Sequence, residues 1–388
     1  MVVPFVRDGR FPDLVKSSDI TLPMALRDID LAIATVQAEV PSIATTYEAC
    51  EIAAQLRERA VLLLATESVY LDRADRLSGG NGAGGNPQNL RRCKDPEGHA
   101  AGHDCPARMR KGITAPAGRS LVVGDFSQVE PRVLAWLAGD RDLQAAFASG
   151  DPYCAFGTRF YGRIITKKDK AERDFSKVGV IAPGYGMGWK KLIKKAKIDL
   201  DIDLPEDKAR ATIDFYRSTY GCVPALWKYL ENLLPLMADG QKGHLYTLPA
   251  VKWDKEGFIL PSGLRIRYPN LRQREVVKDG KPRMTWGYTA YRQKRADPDF
   301  VPIWGSLMTE NLCQALAGEI GKHSMRLVGL GSLFGQIHDE LIAVVPEASA
   351  EVARRSLEVA MTMPPPWFPG IVLGAEVHCG PNWLEAKA

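Results

Sequence analysis

Apolar positions recur at helical spacing from Ala25 to Val36 and from Thr46 to Leu64, so residues 1–75 are predicted to be mostly helical. The pattern then breaks. Gly79 to Asn86 is too rich in glycine to hold regular structure and predicts a loop, and residues 91–111 are polar and basic. From Arg119 the chain runs Ser-Leu-Val-Val-Gly to Asp125, an apolar stretch that predicts a buried strand ending on a carboxylate. A helix follows, with Pro131 near its first turn, where proline is tolerated. Residues 140–240 read as helices, Leu260 to Tyr268 as a turn and a strand, and Glu310 to Leu327 as a helix. Leu333 to Ile337 and Leu341 to Val345 are short apolar runs on either side of His338-Asp339-Glu340, which predicts a hairpin with Asp339 at its tip. There is no internal repeat and no regular βαβ alternation, so the expected class is α+β.

Composition narrows this picture. A chain of 388 residues suggests two or three folding units, and 45% hydrophobic with 25% charged residues excludes a disordered or fibrous chain. No apolar run approaches the roughly 18 residues of a membrane span, and Met1 to Phe5 lacks the basic start of a signal peptide. Seven cysteines, an odd number, point to a reducing compartment, so a cytoplasmic location is expected. The net charge of +5 is mild, but Arg163 to Lys197 holds eleven Lys and Arg against three acids. That segment carries +8, the remainder sums to −3, and the positive field is assigned to this one segment. A solvated basic helix pair and an anion-binding face both fit it.

Three motifs carry candidate chemistry. The first is Asp125-Phe126-Ser127-Gln128-Val129-Glu130-Pro131-Arg132, and the second is Gln336-Ile337-His338-Asp339-Glu340. Carboxylates from two adjacent strands suit a pair of Mg²⁺ ions, because magnesium takes one or two carboxylates plus phosphates and water. The third spaces Arg173, Lys177, Ile181 and Tyr185 four residues apart, one stripe of a helix. Its two cations can grip a triphosphate, and its apolar end can pack on a sugar and base. A plain amphipathic surface helix has the same spacing. Cys93, His99, His103 and Cys105 offer four zinc-type ligands, but the spacing fits no common finger; a basic loop without zinc is preferred.

In this order the three motifs resemble motifs A, B and C of the family A DNA polymerases, the bacterial DNA polymerase I group, most closely its phage-type members. Arg76-Leu77-Ser78, Pro87-Gln88-Asn89-Leu90, Asp151-Pro152-Tyr153, Leu260-Pro261-Ser262-Gly263, Thr309 to Ala315 and Gly380-Pro381-Asn382-Trp383 extend the likeness over about residues 73–388. The resemblance implies a palm of antiparallel sheet with helices, mainly helical fingers and a short helical N-terminal region. The implied divisions are 1–75 as a helical region or reduced thumb, 76–140 and 300–388 as palm, and 141–299 as fingers. It implies template-directed addition of deoxynucleotides to a primer 3′-hydroxyl. Asp125, Asp339 and the Phe126 carbonyl would hold two Mg²⁺ ions, with Mn²⁺ as the substitute, and Glu340 would join the catalytic set. Arg173 and Lys177 would bind the triphosphate, and Lys177 would protonate the pyrophosphate. Gln128, Tyr153, Ile181 and Tyr185 would line the nucleotide site. Glu130 would fill the space that a ribose 2′-hydroxyl needs. Arg76, Gln88, Asn89, Gln314 and His338 would touch primer and template.

The chain also departs from that pattern. Ile181 stands where many members carry an aromatic residue. Pro183 removes a helical hydrogen bond, so the helix either runs on to Tyr185 or stops near Ile181 with Tyr185 on a turn. No DxE-type exonuclease motif precedes Arg76, and a full thumb is hard to fit. The expected partners are primer-template DNA and deoxynucleotides, the chain acting alone with a reduced thumb and low processivity; the alternative is half of a split enzyme that needs a separate thumb, exonuclease or processivity protein, and no membrane is expected. A non-catalytic DNA-binding scaffold is the rival from another class.

Overall fold

The computed structural model describes residues 113–387 except 149, 279, 291–298 and 329–332. The expectations for residues 1–75, the Gly79–Asn86 loop, Arg76, Gln88 and Asn89, and the Cys93, His99, His103, Cys105 set lie outside the described residues. The described chain falls into two compact units. One holds residues up to Val123, 331–354 and 377–388; the other holds Gly124–Leu330 and Arg355–Glu376.

The first unit is built on a four-stranded sheet. Its order is β11 (Ala375–Gly380), β1 (Arg119–Phe126), β10 (Glu340–Pro346), β9 (Leu333–Ile337). Strand β1 is the apolar run predicted from sequence, with Leu121, Val122 and Val123 all buried. A run without alternation is what a strand covered on both faces requires. Leu121, Val123, Ile337, Ile342, Trp383 and Ala386 form the core of this unit. Strands β9 and β10 pair antiparallel with Ile337 opposite Glu340, which leaves His338 and Asp339 as a two-residue turn.

The second unit is mostly helical. In chain order come α1 (Val129–Ala138), α2 (Arg141–Ala148), α3 (Pro152–Tyr161), α4 (Lys170–Gly184), α5 (Trp189–Leu200), α6 (Glu206–Thr219) and α7 (Cys222–Ala238). The long α8 follows at Gly305–Val328, and α9 (Ala350–Thr362) straddles the division between units. Phe175, Val178 and Ala182 of α4 pack with Leu192, Ala196, Ala209 and Ile213 into one core cluster. Helix α3 comes close to α4 at Gly157, where a Cβ would stand 2.7 Å from the Ser176 hydroxyl.

Between α7 and α8 lie two small sheets that the sequence reading left largely unassigned. One is a meander of β2 (Gly243–His244), β3 (Lys252–Asp254), β4 (Gly257–Ile259) and β5 (Arg265–Arg267). The other joins β6 (Arg272–Lys278), β7 (Lys281–Tyr288) and β8 (Val301–Pro302). Among the described residues, the helices expected over 140–240 and Glu310–Leu327, the Arg119 strand and the His338-Asp339 hairpin stand where the pattern put them, and the class is α+β. Among the described residues no helix is long and apolar enough to cross a membrane.

Candidate active site

The residues singled out from sequence divide between the two units, and each group has its own geometry. In the mostly helical unit, Asp125 is half-buried near the end of β1, followed by buried Phe126. Gln128 then takes a left-handed conformation, φ 53°, as the N-cap of α1, and puts Glu130 in that helix's first turn. A non-glycine residue rarely adopts this conformation, so surrounding contacts must hold it. Arg132 provides them. Its Nε donates to the Ser127 carbonyl at 2.8 Å, and its Nη1 donates to the carbonyls of Phe147 and Val372 at 3.2 and 3.0 Å. The Ser127 amide donates in turn to the Gly374 carbonyl at 2.8 Å. Burial lowers the Arg132 pKa from its ordinary value. The three carbonyls compensate part of that desolvation and clamp the turn after Asp125. Sequence reasoning gave Arg132 no role, since its partner carbonyls lie as far as 240 residues away.

Helix α4 displays the predicted stripe. Lys177 is exposed and Arg173, Ile181 and Tyr185 are half-exposed, while Phe175, Val178 and Ala182 on the other side are buried. The helix runs on through Pro183 to Gly184, and Tyr185 is its C-cap residue. Of the two alternatives, the longer helix is the observed one, because a proline in the last turn removes only one hydrogen bond of the helix. The turn closes with Gly186 N–H donating to the Pro183 carbonyl at 3.0 Å.

Arg173 is held at the head of the stripe by a residue the sequence reading quoted without a role. Its Nε donates to Asp151 Oδ2 at 2.7 Å. The other Asp151 oxygen caps α3, accepting from the Tyr153 and Cys154 amides at 3.0 and 3.1 Å. Asp at the N-cap followed by Pro at N1 is a helix-start signal that marked this position in the sequence. Burial alone would raise the Asp151 carboxyl, but the Arg173 hydrogen bond and the two amides outweigh it and hold its pKa below the ordinary value. The Arg173 guanidinium also lies 5.6 Å from the centre of the buried Tyr153 ring. Burial, then the Asp151 charge, pushes the Tyr153 phenol up to about 12.

Tyr185 and Glu130 come together. Burial, then the Cys313 thiol and the Glu130 carboxylate, pushes the Tyr185 phenol well above its ordinary value. The Tyr185 hydroxyl is buried and has no hydrogen-bond partner. Gln314 sits one turn along α8 from Glu310, to whose Oε1 its Nε2 donates at 3.4 Å. The Leu260 to Gly263 turn is fastened to the same helix, since the Ser262 amide donates to buried Glu319 Oε2 at 3.1 Å.

In the sheet-based unit, His338 has φ 55° and, with Asp339, is exposed at the turn. Gln336 Nε2 donates to the His338 carbonyl at 2.9 Å, bracing the turn. Glu340 points the other way. It is 5% exposed; its Oε1 accepts from Trp383 Nε1 at 2.6 Å and its Oε2 from Lys387 Nζ at 2.8 Å. The third residue of the His-Asp-Glu motif is thus tied to the Gly380 to Trp383 motif, with both carboxylate oxygens engaged. Among the described residues no group of three or more His, Cys, Asp or Glu could hold a metal ion. The two carboxylates Asp125 and Asp339 and the Phe126 carbonyl are hard oxygen donors, the chemistry that magnesium takes together with substrate phosphates.

Comparison with known proteins agrees with the motifs. Residues 93–242 match the model of DNA polymerase family A. DNA polymerase I of Chloroflexus aurantiacus is 28% identical over 283 residues, 71% of this chain and 25% of its own length. The thermostable DNA polymerase I of Thermus filiformis is 29% identical over 289 residues, covering 72% of this chain and 29% of its own. The DNA polymerase of Bacillus phage SP02 is 26% identical over 280 residues, 69% of this chain and 42% of its own. The POL domain of Pol1 from M. smegmatis, solved with DNA primer-template and dNTP, shares the fold. Its TM-score is 0.53 at 17% identity, over 92% of this chain and 56% of that one. The chain spans about a quarter of the first two curated relatives and about two fifths of the phage one. The ordered motifs and these matches agree: over residues 93–242 and across the curated relatives, the chain is similar to DNA polymerase family A.

Proposed function

We propose that this chain extends a DNA primer on a template, joining deoxynucleotides to the primer 3′-hydroxyl with release of pyrophosphate. The observation that carries the reading is the face of α4: a restrained cation at Arg173, an exposed one at Lys177, then Ile181 and Tyr185. That order matches a nucleotide laid along the helix, triphosphate first and base last. Asp151 orients Arg173 toward the phosphates without reaching them itself, and its ion pair limits the rotamer entropy lost on binding. Lys177 neutralises phosphate charge and is placed to donate a proton to the leaving pyrophosphate. Glu130, fixed on the first turn of α1 beside Tyr185, fills the sugar's 2′ position and excludes ribonucleotides. Gln128 and Tyr153 complete the nucleotide site. Gln314 and His338 face primer and template, a role shared with Arg76, Gln88 and Asn89.

Asp125 and Asp339, with the Phe126 carbonyl, are the groups that would hold Mg²⁺. Such ions would supply Lewis acidity toward the attacking hydroxyl and positive charge for the triphosphate. Glu340 serves this site at one remove. Anchored by Trp383 and Lys387, it fixes the start of β10 and so the turn that presents Asp339. The place of action is the cytoplasm, with primer-template DNA as substrate.

Primer extension with Mg²⁺ tests the reading. Wild-type protein should extend a primed template, and Asp339→Ala should not. Primer-template binding without extension at any protein concentration would leave only the scaffold reading. Glu130→Ala should admit ribonucleotides; unchanged rejection removes Glu130 from its assigned role.

A further inference from the structure

The β6–β7 hairpin, joined to β8 only at its base, takes no part in the site described so far, and it is chemically two-sided. Its seven cross-strand pairs run from Arg272 opposite Gly287 to Lys278 opposite Lys281. Residues directly opposite share a face, and alternate residues change face. Arg272, Arg274, Lys281 and Arg283 therefore share one side, and all four are exposed. The other side carries Glu275, Val277 and Met284, and the last two are 70% and 61% exposed. A two-stranded ribbon that buries neither face is marginal in water, so packing does not account for it.

The basic side is organised at its root. The Arg274 and Arg272 guanidiniums lie 4.1 and 5.6 Å from the centre of the Phe300 ring, which is buried. Gly287 makes room for that ring, since a Cβ there would stand 2.5 Å from it. Arg272 also donates to the carbonyls of Asn270 and Asp299 at 3.0 and 2.6 Å. Stacking on an aromatic face holds a guanidinium in place while keeping its charge. Two cations at alternate positions of a strand stand about 7 Å apart. The flanking sequence adds to the field. Between Arg265 and Arg295, ten Lys and Arg stand against Glu275 and Asp279 alone. This is +8, equal to the Arg163–Lys197 excess, so the rest of the chain carries −11. The expectation of a single basic segment is corrected: the −3 left outside the first segment conceals a second one.

We propose that the β6–β7 ribbon is a second DNA-contact surface, whose basic face lies along the phosphates of duplex DNA. The choice of DNA rests on the polymerase reading; the choice of duplex rests on shape. A two-stranded β-ribbon is one of the two elements that the major groove admits, and restrained cations are what a phosphate backbone selects.

The test is the affinity of the whole chain for a fluorescent 20-base-pair duplex, read by anisotropy from 50 to 300 mM salt. Measuring in EDTA without nucleotide keeps the result independent of polymerisation. The variant is Arg274→Gln, Lys281→Gln and Arg283→Gln combined. The comparator, Lys228→Gln, Lys242→Gln and Lys255→Gln combined, removes equal charge from exposed positions elsewhere in the same unit. The ribbon variant should bind about tenfold more weakly at 100 mM salt, with a log–log salt slope shallower by about three. The comparator should stay within about twofold of wild type. Equal loss in both variants, or no loss in either, overturns the proposal. A greater loss for the matching single strand than for the duplex overturns the duplex assignment. A chain that binds duplex through the ribbon yet never extends a primer fails the polymerase reading and leaves this one standing.

Discussion

Two hairpins in this chain obey the same backbone rules and make opposite use of them. The β9–β10 hairpin puts Ile337, Leu341 and Ile342 into a core and exposes only its His338-Asp339 turn. The β6–β7 hairpin exposes both faces along most of its length. In the first, burial of flanking strands positions two turn residues, so precision at the tip comes from packing at the base. In the second, the strands themselves are the surface, and they are anchored at the root, where Phe300 packs at Gly287 and β8 pairs with β7. A rigid turn suits chemistry, which needs sub-ångström placement. A solvated ribbon suits a polyanion, which needs charge over an extended face.

Substitutions in the two hairpins sharpen the contrast. The largest effect is expected at the first turn: Asp339→Ala should lower primer-extension rate about 10³-fold, on the order of 4 kcal/mol of barrier. Its circular dichroism and urea midpoint should match wild type, because the side chain is exposed; a shifted midpoint would mean the turn is structural. Leu341→Ala, a fully buried position of β10, should cost about 3 kcal/mol in urea unfolding. Glu340→Gln keeps the shape but removes the charge facing Lys387, and about 2 kcal/mol of stability should go with it. If that variant instead lost catalysis at unchanged stability, the anchoring role would be wrong and Glu340 would belong with Asp339.

The pH dependence of Asp151 gives a smaller effect. Its folded pKa is held below the ordinary carboxylate value, so its stabilisation is complete above that ordinary value. It is lost as pH falls through the lowered folded pKa. Asp151→Asn keeps a good N-cap but not the ion pair, so the stability gap to wild type should hold from neutral pH down to the ordinary carboxylate range and close only as pH falls below it. A gap constant with pH would break the assignment. The smallest effect is expected at Val277→Thr on the ribbon, within about 0.5 kcal/mol of wild type. A cost above 2 kcal/mol would show that the ribbon face is covered and end the comparison.

Much of the site was legible because its signals are local. A spacing of four residues placed Arg173, Lys177, Ile181 and Tyr185 on one face of α4. Two apolar runs around His338-Asp339 marked the hairpin, with boundaries that hold to within a residue. The ribbon was not legible, since Arg272 to Tyr288 alternates charged, polar and apolar residues with no buried side to announce a strand. The three-residue strands β3, β4 and β5 are too short to show a period at all.

By itself, then, the sequence determined the helices among the described residues, the buried strand with Asp125 near its end, the hairpin turn and the order of the motifs. Each is written in neighbouring residues whose side-chain period matches the backbone's own. Only the tertiary structure decided what each charged group faces. Asp151 meets Arg173 across 22 positions, Glu340 meets Trp383 and Lys387 across 43 and 47, and Arg132 reaches the Val372 carbonyl across 240. Those pairings depend on where distant segments pack, and the cost of burying a charge without a partner is what makes each of them specific.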